Sequence, residues 1–142
     1  MLTQLSIGSA IILTTMGVMV GFVYAAIRYF RKLDERLGDR KIGAAQLLTV
    51  LSGGVLLVLA ANTVCVWIWA LSFRLLNVFS TLEEAVYFSL VSFTTVGYGD
   101  VVVGVEWRIL SGFVAVNGLL AFGLFTAFLI EMIRGISKRI VN

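Results

Sequence analysis

Ser92-Phe93-Thr94-Thr95-Val96-Gly97-Tyr98-Gly99-Asp100, SFTTVGYGD, closes a short uncharged run and sets two glycines around a tyrosine. That run, Ala85 to Gly99, is 15 residues long. A span needs roughly 20, and runs of this length are more often re-entrant. The start of the run reads as a helix start. Ser80-Thr81-Leu82-Glu83 fits the capping box S-x-x-E, and Glu83 and Glu84 suit the positive end of a helix dipole. A helix over 81–93 is predicted, dipping into the membrane from outside with its free carbonyls toward the centre. The quoted stretch must then bring the chain back out. Irregular backbone survives at membrane depth only where protein or a water-filled path satisfies its polar groups. Glycine enters left-handed backbone without steric cost, so alternating conformations at Gly97 and Gly99 can turn successive carbonyls to one side. A column of carbonyl oxygens is a cation path. Tyr98 is then expected to pack outward and hold the strand.

The flanks of this stretch are membrane spans. Hydrophobic residues make up 60% of the 142-residue chain and charged residues 13%, against roughly 25% charged in a soluble domain. Met1 to Ile27, Ile42 to Phe73 and Ile109 to Ile130 carry no charge. Each run exceeds the roughly 20 residues that cross a hydrocarbon core, so three transmembrane helices are predicted. The first lacks the basic start of a signal peptide and is read as part of the mature protein. Lys and Arg set the orientation. Arg28, Arg31, Lys32, Arg36, Arg40 and Lys41 gather in a loop over 28–41, and Arg134, Lys138 and Arg139 end the chain. The positive-inside rule makes both groups cytoplasmic and places the N-terminus outside a multi-pass cell-membrane protein. Arg74 and Arg108 then face Glu83, Glu84, Asp100 and Glu106 in the outer segment, and this acidic surplus favours cations.

Several classes lose support. The chain has no histidine, so the commonest general base and metal ligand is missing, and its outer acids have no nucleophile beside them; no enzyme is expected. The single Cys65 reads as a small buried apolar residue. No helix carries arginine at every third position, which argues against a charged voltage sensor. The basic loop is explained by topology rather than by nucleic acid.

Thr95-Val96-Gly97-Tyr98-Gly99, preceded by Thr94 and followed by Asp100, resembles the TVGYG selectivity filter of tetrameric potassium channels. The whole chain is similar to small prokaryotic members that place one extra helix before a pore module. The resemblance implies an all-α membrane protein with three transmembrane helices per subunit, a re-entrant pore helix and a filter loop. It divides the chain into an N-terminal helix (1–27), the basic loop (28–41), a pore module (42–134) and a short tail (135–142). Within the module lie the outer helix (42–76), pore helix (81–93), filter (95–99) and inner helix (106–134). It also implies a homotetramer in the lipid bilayer, with neither nucleic acid nor small-molecule substrate as partner. K+ is the permeating ion, held by the carbonyls of Thr95, Val96, Gly97 and Tyr98 and by the Thr95 hydroxyl, with Gly99 completing the outer turn and no cofactor besides. A weakly selective cation channel and a non-conducting subunit that assembles with another membrane protein remain as alternatives.

The same resemblance assigns the surroundings. Tyr87, Val91, Thr94 and Asp100 form the filter scaffold and outer mouth. Tyr87 can reach Asp100 or simply pack, as Phe88 can. Val91 stands where some simple channels brace the acid with a glutamate, so that brace is absent. Leu119, Phe122 and Thr126 line the cavity. Gly118 and Gly123 are hinge or packing residues, and Ile130 and Ile133, with Arg134, are candidates for the inner gate. Physical reading adds four expectations. Gly17 and Gly21 suit close helix approach, Asn62 and Thr63 suit interhelical hydrogen bonds, Trp67 and Trp69 suit an outer aromatic belt, and Glu131 suits a pair with Arg134.

Overall fold

The computed structural model of the chain describes residues 1–37 and 44–141, with side chains for 1–32 and 46–135. Its elements are α1 (Leu2–Leu37), α2 (Ala44–Leu75), α3 (Leu82–Phe93), a 3₁₀ turn at Val105–Trp107, and α4 (Arg108–Val141). Three segments are long and apolar enough to cross a membrane: Leu2–Lys32, Gln46–Leu75 and Val105–Gly135.

Charge marks the end of the apolar span but not the end of the helix. α1 continues through Leu37, so most of the loop expected over 28–41 is helical, and positions 38–41 lie outside the described residues. Arg, Lys, Glu and Leu are good helix formers, and no glycine interrupts them before Gly38. At 36 residues, α1 is about 54 Å long, well beyond a hydrocarbon core of about 30 Å. α4 likewise runs to Val141, through Gly135, rather than yielding to a tail at 135.

The two turns that frame α3 are tightly specified. α2 ends in a Schellman motif: Val78 N donates to Phe73 O at 3.0 Å and Asn77 N to Arg74 O at 3.1 Å. Asn77 takes a φ of 53°, and asparagine is among the few residues that tolerate that region. Four residues later the capping box forms, one position further along than the sequence pattern suggests. Thr81, not Ser80, is the N-cap; its hydroxyl accepts from Glu84 N at 3.2 Å, and Glu84 Oε2 accepts from Thr81 N at 3.3 Å. The β-region backbone of Thr81 is the geometry a cap requires.

Aromatic packing fixes the angle between α2 and α3. The Phe73 ring lies 5.9 Å from Trp69, 5.8 Å from Phe79 and 5.4 Å from Phe88, distances at which tilted and edge-to-face pairs add to the burial term. α1 runs parallel to α4. Gln4 Oε1 accepts from Leu110 N at 3.1 Å, satisfying an amide that the first turn of α4 leaves without an intrahelical partner. Further along, the backbone at Gly8 meets the Phe113 ring, and Ala26 packs with Phe128 and Met132. α2 is antiparallel to α4, with Gly54 against Met132 at one end and Trp69 beside Asn117 nearer the other.

Candidate pore loop and its supports

The end of α3 repeats the turn that ended α2. Thr95 N donates to Ser92 O and Val96 N to Val91 O, both at 3.0 Å, which is a second Schellman motif. Gly97 N also donates to Val91 O, at 3.2 Å. Val91 therefore serves this loop through its backbone oxygen, while its apolar side chain gives Asp100 no support. Thr94 turns its hydroxyl back onto Leu90 O at 2.8 Å. The left-handed position of the motif falls on Thr95, with φ 61°, followed by Gly97 at 59° and Gly99 at 79°. Val96 and Tyr98 between them stay out of that region. The alternation expected of the two glycines thus begins one step earlier, on a β-branched residue. Strain of this kind persists only where the surroundings over-determine it and clusters at functional sites.

The far end of the loop is tied to α3 by one short hydrogen bond. Tyr87 Oη donates to Asp100 Oδ2 at 2.5 Å, and Asp100 Oδ1 accepts from Val101 N at 3.0 Å. Phe88, next to Tyr87, packs inward on Phe73 and Phe79. The Tyr87 bond holds the Asp100 carboxyl below its ordinary value of 3.8 and pushes the Tyr87 phenol above 10.0. The signs follow from which form each partner needs. A lowered carboxylate contributes stability above its ordinary value and loses it as pH falls through the lowered one. A raised phenol contributes below its ordinary value and loses it as pH rises through the raised one. The bond is thus intact across neutral and mildly acidic pH. Tyr87→Phe is expected to let Asp100 titrate closer to 3.8, so loss of flux on acidification of that side of the membrane begins at a higher pH than in the wild type. An identical acid profile in single-channel recordings would show that the bond does not serve the mouth.

Beneath the loop, α4 makes its closest approach. A Cβ built on Gly118 falls 1.8 Å from Phe93 O and 2.8 Å from Phe93 C. Gly118 is therefore a packing residue that seats α4 on the C-terminal end of α3. Gly123 is exposed, with nothing within 4 Å of such a Cβ. Leu119, Phe122, Thr126, Ile130 and Ile133 share one exposed face of α4 in the single chain, Leu119 at 62%. Their spacing fits one side of a helix. Phe122 reaches back toward α3, its ring 6.5 Å from Phe93. Tyr98 is 73% exposed in the single chain, its ring turned away from the rest of the subunit.

An ion channel family model matches residues 49–135, more than half of the chain. The chain belongs to the ion channel family. Neither the curated proteins nor the solved structures contain a match to it. The matched region takes in nearly all of α2, then α3, the loop and most of α4, and it leaves α1 outside.

In this channel subunit the residue that sequence reasoning missed is Asn117. It is fully buried, and its Oδ1 accepts from Trp69 Nε1 and from the Thr15 hydroxyl, both at 2.7 Å. Trp69 is correspondingly a core residue and not part of an aromatic belt; Trp67, two residues away, is the exposed one. The available signal was that Asn117 is the single carboxamide in the uncharged run Ile109 to Ile130, and such groups face the bundle interior. Cys65 is buried as expected, its thiol 3.9 Å from Thr15 O. Among the described residues of the single chain Asn62 and Thr63 do not bridge helices: Asn62 Oδ1 is buried without a partner there, and Thr63 bonds back to Leu59 O. The close approach foreseen at Gly17 and Gly21 occurs at Gly8 instead, and both of those glycines are open. Glu131 and Arg134 are exposed and form no ion pair among the described residues.

Proposed function

We propose that the chain is one subunit of a homotetrameric, passive, potassium-selective channel. In it the carbonyls of Thr95, Val96, Gly97 and Tyr98, with the Thr95 hydroxyl, replace the hydration shell of K+. The observation that carries this reading is positive φ at alternate residues, Thr95, Gly97 and Gly99, in a loop tied at its root to Val91 O. Alternation across the left-handed and ordinary regions is how consecutive peptide units present oxygens to one side. The exposure of Val96, Tyr98 and the Leu119–Ile133 face supports assembly around an axis, because one subunit leaves the loop as an open wall. The Lys and Arg distribution supports an N-terminus outside and a C-terminus in the cytoplasm. No cofactor, nucleic acid or small-molecule substrate enters this function; K+ is the cargo.

Purified protein in liposomes tests it. Potassium efflux far above sodium efflux, from a species that crosslinks as a tetramer, is the expected result. Equal fluxes would make the protein a weakly selective cation channel. A confirmed tetramer without flux would make it a non-conducting partner subunit.

A further inference from the structure

Asn117 lies next to Gly118 in the chain, and its hydrogen-bond partners come from two other helices. The indole of Trp69 can only donate, so it fixes which end of the amide faces it. Oδ1 takes that bond, and the Thr15 hydroxyl reaches the same oxygen. Asn117 Nδ2 is buried without a partner, so the orientation of the side chain rests on Oδ1 alone. One residue further on, Gly118 leaves no room between α4 and Phe93 O. Rotation of α4 about its axis would drive a neighbouring side chain into that carbonyl. The residues that follow Phe93 are the root of the pore loop, where Val96 N and Gly97 N meet Val91 O. Thr15, on α1, is outside the region that matches the ion channel family.

We infer that Asn117 is a positioning residue for permeation. It couples α1 to the pore loop by holding the rotation of α4 at Gly118, with Thr15 as the contact from α1. The inference rests on the potassium reading only for which ions report it. The bond from Thr15 is the adjustable part, because that hydroxyl has a second choice. Ile12 O and Ile11 O lie 2.9 and 3.0 Å away, so α1 keeps its hydroxyl satisfied when it lets go of Asn117. Among the described residues the Trp69 indole makes no other hydrogen bond, and it holds the amide from the α2 side.

Thr15→Val tests this with almost no change in volume and leaves the Trp69 bond in place. A typical hydrogen bond is worth about 1 kcal/mol, equivalent to about a five-fold shift between held and released arrangements. Amide hydrogen exchange at Val96 and Gly97 in the full-length protein is therefore expected to rise about five-fold. Exchange in the buried part of α2 stays the same, and the potassium-to-sodium permeability ratio falls. Thr15→Ser, which restores the hydroxyl, returns both readouts to wild type. Unchanged exchange at Val96 and Gly97 in Thr15→Val overturns the inference, as does faster exchange with an unaltered permeability ratio in a potassium-selective wild type. If the wild-type channel does not select potassium, the function proposed above fails, and the exchange measurement alone still decides the role of Asn117.

Discussion

Gly118→Ala is expected to lower the thermal stability of the purified channel and abolish its flux. The added methyl would sit 1.8 Å from Phe93 O, whereas a carbon ordinarily approaches a carbonyl oxygen no closer than about 3.3 Å. The obstacle is backbone, so no rotamer change relieves it, and α4 must retreat from α3 by more than about 1 Å. Overpacking a close-packed site costs about 1–3 kcal/mol, and more where backbone has to move. Gly123→Ala is the matched control. Nothing lies within 4 Å of the new methyl in the same subunit, and alanine favours helix over glycine by about 1 kcal/mol. Its melting temperature is expected to hold or rise. A hinge at Gly118 would give another outcome, with stability kept and only gating altered. A Gly118→Ala protein that melts like wild type would therefore return the residue to that role.

Gly97→Ala is expected to remove flux and leave the melting temperature alone. Its φ of 59° is left-handed, a region that costs an alanine about 1–2 kcal/mol. That disfavours the loop conformation by roughly five- to thirty-fold in each subunit. No atom stands within 4 Å of the added methyl, so the penalty is conformational and stays within the loop. The two glycine substitutions therefore separate along different measurements: both silence the channel, and only the one at position 118 weakens the fold. Wild-type flux from Gly97→Ala liposomes would mean that the positive φ is not needed for conduction.

The spans, the short helix α3 and the loop are legible in sequence because each obeys a one-dimensional rule: a run without charge, an acid-rich helix start, glycines at alternate positions. What is not legible depends on two segments meeting. Gly118 and Gly123 are indistinguishable as letters, and only the position of Phe93 O tells them apart. Trp67 and Trp69 sit two residues apart near one end of α2, yet one faces outward and the other finds Asn117 in the core. Thr95 illustrates a different limit. Propensity would give the left-handed position to a glycine or asparagine, as it does at Asn77, whereas the turn that ends α3 places it on threonine. The shift of the capping box from Ser80 to Thr81 is smaller, since both residues can cap and α2's Schellman turn sets the phase.

The parallel pairing of α1 with α4 also bears on how the subunit is made. Synthesis proceeds from the N-terminus, so α1 is made before α2 and α4. The contacts that dock it are 102 and 106 residues away in sequence, at Asn117 and Leu110. Until then Thr15 can bond to Ile11 O or Ile12 O within its own helix and needs nothing from its neighbours. Asn117 has no intrahelical partner of that kind, and it arrives last. By then the hydroxyl of Thr15 and the indole of Trp69 have both been made, so the donors for its oxygen precede it along the chain.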